Sequence, residues 1–238
     1  MASVAPNALI APVSGQTPID LSQLAHRRVI GFLGLFLPAL LYVIGGLRPT
    51  SLTPWRHLDS LSAYYYSGAV AVLVGVLFAL GLFLATYRGY TGDIADRVVG
   101  LIGGIAAIFV GLFPTDPPRG ISAPVWWTPP TGTVHYAAAI TLFVSFILFS
   151  LWLFRRSNIP DPRERPLEKR IRNGVFLACG AVMVVSVTWA AFALHSDAPI
   201  FWPESFAVWA FAISWLVKGE VHRPFVDAMT RARAKAAA

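Results

Sequence analysis

This sequence has little charge: Asp, Glu, Lys and Arg together make up only 13% of its 238 residues, against 56% hydrophobic ones. The apolar residues fall in long unbroken blocks, which excludes the spaced patterns of a water-soluble fold and makes lipid the solvent to reason about. Cysteine is scarcer still. Cys179 stands alone, so no intramolecular disulfide can form, and its place within an apolar run suits a packed side chain better than a catalytic thiol. The first residues, Met1 to Leu24, lack the basic start and continuous apolar core of a cleavable signal and are broken by Pro6, Pro12, Gly15 and Pro18. They read as a short cytoplasmic tail.

What is present is a set of six apolar blocks: Val29 to Leu47, Tyr64 to Tyr87, Val98 to Phe113, Val134 to Phe154, Gly174 to Leu194 and Ile200 to Val217. A hydrocarbon core roughly 30 Å thick takes about 20 helical residues, and a spanning backbone must satisfy its amides within its own helix. The expected fold is therefore all-α, a polytopic membrane protein with a six-transmembrane-helix bundle over residues 29–218. A cytoplasmic tail, 1–28, precedes it and a basic one, 219–238, follows. Pro38 should kink the first span. Gly100, Gly103, Gly104 and Gly111 would let another backbone approach the third, which is expected to lie centrally in the bundle.

Orientation follows from the basic residues. With the N-terminus inside, sixteen of the 19 Lys and Arg residues fall on the cytoplasmic side, and only Arg48, Arg56 and Arg119 fall outside. An odd number of spans would scatter that pattern, so the positive-inside rule supports six spans, N-in and C-in. The same placement accounts for the net charge of +7 through topology and anionic headgroups, so no nucleic-acid partner is expected. Trp55, Tyr64, Tyr65, Tyr66, Trp126, Trp127 and Trp202 all fall at the outer interface, with Trp152 and Trp215 near the inner one. Pro114, Pro117, Pro118, Pro124, Pro129 and Pro130 stiffen the outer loop between spans three and four into a plausible cap. The inner loop Arg155 to Asn173 reads as a solvated connector.

The remaining polar residues collect on the outer side. Ser62 precedes span two, Asp116 follows span three, His135 opens span four, His195 follows span five and Glu204 opens span six. Ionisable groups at membrane depth are candidates for a functional site. Three imidazoles, of His57, His135 and His195, share this level and, with Asp116 or Glu204, could ligate a metal, with His135, His195 and Asp116 the first choice; a zinc-bound water would attack a lipid ester or amide. No H-x-x-x-H or H-E-x-x-H spacing fixes two ligands on one helix face, however. Structural readings stand beside this one. His195 at a helix end and Glu204 after Pro203 at a helix start suit the helix dipole, His57 fits a solvated loop, and Asp116 before Pro117 fits a turn. His135 must find a hydrogen-bond partner in either case. Lys218, ending span six, reads as a residue that reaches out to headgroups.

Several strings together carry a resemblance: Leu61-Ser62-Ala63-Tyr64-Tyr65, Tyr87-Arg88-Gly89-Tyr90, Phe113-Pro114-Thr115-Asp116, His135, Glu204, and Ser214-Trp215-Leu216-Val217-Lys218-Gly219. These resemble bacterial six-span proteins of the domain of unknown function 998 type, and more distantly the damage-regulated autophagy modulator and FGF-receptor-activating type. The resemblance implies a six-helix protein of a bacterial inner membrane, and it draws attention to Ser62, Asp116, His135 and Glu204 without assigning them a role. A looser similarity is to membrane hydrolases related to alkaline ceramidase, which implies Ser, Asp and His around zinc. The chain lacks their seventh span and paired-histidine helix.

Three functions remain open at this level. The first is a bundle that binds or organises membrane lipid, or another membrane protein, through an outer polar vestibule. The second is a metal-dependent lipid hydrolase or acyltransferase at the outer face, with zinc as its cofactor. The third is a small-solute transporter or channel, for which three spans followed by three give the required opposed topology, although the two halves show no internal similarity.

Overall fold

The computed structural model of the chain describes residues 18–48, 50, 55–89, 94–157, 161 and 163–221. Among the described residues there are six α-helices and no strand: α1 Pro18–Leu47, α2 Val70–Ala85, α3 Ile94–Leu112, α4 Pro129–Leu151, α5 Leu167–His195 and α6 Phe201–Lys218. Two short 3-10 turns, Ser62–Tyr66 and Leu153–Arg155, lead into α2 and out of α4. Four stretches, Ser22–Leu47, Ile94–Leu112, Pro129–Arg155 and Leu167–His195, are long and apolar enough to cross a membrane, and Val70–Ala85 is apolar but shorter.

The helices form a ring in chain order, each packing on the next and α6 returning to α1, with α4 also touching α6 across the middle. Contacts show that they alternate in direction. His26 near the start of α1 meets the Phe83 carbonyl near the end of α2, and Phe154 beyond α4 packs on Phe176 early in α5. Arg28 of α1 donates to the Gly219 carbonyl just past α6 (2.8 Å), while Trp209, mid-way along α6, donates to the Leu35 carbonyl (3.1 Å). Alternation sorts the chemistry between two ends. One end gathers Arg27, Arg28, Arg88, Arg97, Arg155, Arg156, Lys169, Arg172 and Lys218; the other gathers the segments around residues 55–66, 113–128 and 195–200.

Inside the ring, α6 is the most enclosed helix. Phe201, Ala207, Phe211, Ala212 and Trp215 are all buried, and the Trp215 ring meets Tyr87, Phe149 and Phe154 edge-on at centroid distances of 4.8–5.1 Å. Such aromatic contacts and close backbone packing hold helices together where lipid replaces water as the competitor. The central place expected for α3 belongs instead to α6. The glycines of α3 meet its two neighbours: a Cβ on Gly104 would stand 2.5 Å from the Gly81 oxygen and 2.7 Å from the Ala85 nitrogen of α2, and one on Gly103 2.9 Å from the Ser145 Cβ of α4. The opposite face of α3, with Leu101, Ile102 and Ile105, is exposed.

Helix ends depart from the apolar blocks where polar groups find partners. The block Tyr64 to Tyr87 divides into the 3-10 turn and a 16-residue α2, because Ser67 is extended and its hydroxyl both donates to the Tyr64 carbonyl (2.8 Å) and accepts the Ala69 amide (3.1 Å). Hydroxyl bonding of this kind offers the backbone an alternative to a helix. The third block starts earlier, at Ile94, since Asp96 in its first turn is buried against Arg156 at 2.6 Å. α4 starts at Pro129, where Thr128 and Thr131 form a capping box. α5 extends back through Glu168, Lys169 and Arg172 to Leu167, and α1 back to Pro18, running through Pro38 without interruption. Only α6 matches its apolar block to within a residue at each end.

Asp96 is a point where the fold is vulnerable. Its side chain is 2% exposed and Arg156 is the partner that balances it. Breaking a buried pair strands a charge, so Asp96→Ala is expected to lower stability by about 3–5 kcal/mol. The Asp96→Asn, Arg156→Gln double variant should recover part of that loss, as thermal unfolding in detergent will show.

Candidate functional site

The polar end is built from four pieces: the 3-10 turn with Leu61 before it, the segment Phe113–Asp116 after α3, the first turns of α4 and the first turn of α6. His135 sits two turns into α4 and is 3% exposed. Its Nδ1 is 2.6 Å from the Phe113 carbonyl oxygen and its Nε2 is 3.0 Å from the Ser62 hydroxyl. A carbonyl can only accept, so Nδ1 carries a hydrogen, and in the neutral ring Nε2 accepts the bond that Ser62 donates. One side chain thus ties the turn before α2, the segment that leaves α3 and the body of α4.

Glu204 makes a second tie. One carboxylate oxygen accepts the Leu61 amide at 2.6 Å, and beside it the Ile200 amide donates to the Asp59 carbonyl at 2.6 Å. The start of α6 is thereby fastened to the residues that position Ser62. A third set of bonds joins Tyr66, whose hydroxyl donates to the Thr115 carbonyl (2.7 Å), to Tyr136, which accepts from the Thr115 hydroxyl (3.2 Å) and donates to Asp116 (3.4 Å). Trp127 in the proline-rich loop donates to the Pro114 carbonyl (3.3 Å), so that loop is held to the same segment.

Of the five residues singled out in the sequence, Ser62 and His135 touch, Asp116 accepts from Tyr136, the residue after His135, and Glu204 accepts the Leu61 amide just before the turn carrying Ser62. His195 does not join them: it is the last residue of α5 and is exposed. His57, also exposed, stacks on Phe201 with ring centroids 5.0 Å apart. The structure thus does not bring His135, His195 and Asp116 together as one group. Among the described residues no group of three or more His, Cys, Asp or Glu side chains is placed to hold a metal ion. Both His135 nitrogens are engaged, and Asp116 turns to Tyr136.

Tyr66 and Tyr136 belong to the cluster and were not evident from the sequence as members of it. Tyr136 adjoins His135, but adjacent residues on a helix point about 100° apart, so proximity in sequence did not imply a shared network. Chemically, the arrangement orders a hydroxyl on the basic nitrogen of an imidazole whose other nitrogen is fixed. A serine nucleophile needs that relation, and an interhelical clamp needs it equally.

Comparison with known proteins agrees with the resemblance seen in the sequence. The model of the family described as a protein of unknown function (DUF998) matches residues 32–218, and the chain belongs to that family. No curated protein and no solved structure matches the chain.

Proposed function

We propose that this member of a family of unknown function is a multi-pass protein of a bacterial inner membrane, with six spans and both ends cytoplasmic, that binds or organises lipid or a membrane partner at its polar rim. One observation supports the reading above the others. The helices turn bulky apolar side chains away from the bundle, among them Phe36, Ile105, Ile140, Val185 and Phe192, the last 73% exposed, while the rim's polar side chains are engaged with one another. An outward apolar surface of this extent is a liability in water and is solvated by acyl chains. The gathering of basic residues at one end supports the orientation; Arg223, Arg231, Arg233 and Lys235, which would add to it, lie outside the described residues, as do residues 1–17.

A second reading is favoured by the 3.0 Å contact of Ser62 with His135: a serine-dependent lipid hydrolase or acyltransferase that needs no metal. Bilayer-reconstituted protein separates the two. Under the binding reading, native mass spectrometry retains phospholipid on the protein, and a fluorophosphonate probe leaves Ser62 unmodified. Labelling or ester turnover that disappears in Ser62→Ala, with the fold kept, would overturn the first reading in favour of the second.

A further inference from the structure

The basic end of the bundle has a step in it. α1 starts at Pro18, and at 1.5 Å per residue it runs about 12 Å further toward that end than His26. His26 is level with Phe83, whose carbonyl it meets at 2.6 Å, and α2 stops soon after, at Ala85. The first turns of α1 therefore overhang the end of α2. In the step lies a cleft of about 250 Å³, lined by Ser22, Gln23 and His26 of α1 and by Thr86, Tyr87 and Arg88 of the chain leaving α2.

The lining combines one cation with hydrogen-bonding groups of both kinds. Arg88 is exposed and forms no ion pair among the described residues; Asp96, which packs against the neighbouring Gly89, is bound by Arg156 at 2.6 Å. The Gln23 side-chain oxygen accepts from Arg27 at 3.3 Å, so the amide has its donor hydrogens left to offer. His26 donates through Nε2, because a carbonyl can only accept, and in the neutral ring Nδ1 is left as an acceptor. The Thr86 hydroxyl already donates to the Leu82 carbonyl (2.7 Å), so its oxygen accepts too. One turn deeper than His26 and Thr86, Val29 and Leu82 are exposed apolar side chains, the latter 58% exposed.

We infer that this cleft seats the headgroup of an anionic phospholipid that carries hydroxyls beside its phosphate, as phosphatidylglycerol does. The phosphate is held by Arg88 and the Gln23 amide, and the glycerol hydroxyls bond to His26 Nδ1 and the Thr86 oxygen. A guanidinium matches two phosphate oxygens at once, and a lining with both donors and acceptors suits a group that is both anionic and hydroxylated. A soluble phosphate ester presents the same oxygens, but Val29 and Leu82 beneath the cleft give acyl chains a path that only a lipid uses. The inference concerns the basic end and does not rest on the polar-rim reading.

The test reconstitutes the full chain into bilayers of phosphatidylcholine containing a minor share of phosphatidylglycerol. The chain is then re-extracted in mild detergent, and mass spectrometry measures the phosphatidylglycerol retained by the wild type, Arg88→Gln and Arg163→Gln. Arg163 is an exposed residue of the loop before α5 and is not part of the cleft lining, so its loss removes the same charge and leaves the cleft whole. The wild type should enrich phosphatidylglycerol over its share of the bilayer. Arg88→Gln should cut that enrichment about tenfold, as loss of one charge-assisted pair implies, and Arg163→Gln should leave it unchanged. Washing the wild type with excess glycerol 3-phosphate should not displace the lipid. Displacement would give the cleft to a soluble ester and overturn the lipid assignment, as would no enrichment in the wild type or equal losses in the two variants.

Discussion

Gly104→Val is expected to lower stability by about 3 kcal/mol and to cut the yield of monodisperse protein. The atoms a new Cβ would meet, the Gly81 oxygen and the Ala85 nitrogen, are backbone of α2, so no side-chain rotation can make room. The helices would have to separate along their whole contact, which is equally close from the other side: a Cβ on Gly81 would stand 2.7 Å from the Gly104 oxygen. Gly75 is the matched control: a Cβ there meets nothing within 4 Å, and Gly75→Val should change stability by no more than about 0.5 kcal/mol. Thermal unfolding and size-exclusion profiles in one detergent compare the two. Equal tolerance would mean that α2 and α3 do not approach as described.

The second large effect is at His135. Replacing it with alanine leaves the Phe113 carbonyl and the Ser62 hydroxyl without the ring that joined them and opens a void between α4 and the turn before α2. Together these should cost about 3–4 kcal/mol. Ser62→Ala removes one bond and little volume, and should cost only about 1 kcal/mol. Guanidinium is unsuitable for a helical protein in detergent, so the comparison is best made by thermal melts followed by circular dichroism at 222 nm, a helix wavelength. If the two variants are equally mild, His135 is not a clamp and its bonds serve another purpose.

The helices themselves were legible because long apolar runs must satisfy their own backbone amides, and the limits of α6 lie within a residue of its apolar block. The polar boundaries were not legible, because they depend on partners distant in sequence. Asp96, in the first turn of α3, is met by Arg156 from beyond α4, and Ser67 ends the 3-10 turn through bonds to its own neighbours. The rim was legible as a level but not as a network. Ser62, His135 and Glu204 were placed at one depth from topology, whereas the contact of Ser62 with His135 and the part played by Tyr66 and Tyr136 depend on which face each helix turns inward. One sequence does not specify that face. The same limit misplaced α3 at the centre: close-approach glycines mark a tight contact, and do not say how many neighbours the helix has. It also misplaced Lys218, whose position at a helix end suits an outward reach but which is buried, with its ammonium over the Phe154 ring.

The central claim, that the two ends of this bundle face opposite sides of a membrane, is tested most directly with single cysteines and a membrane-impermeant maleimide in intact cells. Cys179 is buried and can be replaced by alanine to clear the background. Arg119→Cys lies at the polar end and Glu164→Cys at the basic end, both at exposed positions. Arg119→Cys should react without permeabilisation and Glu164→Cys only after it; reaction of both from the same side would contradict the account.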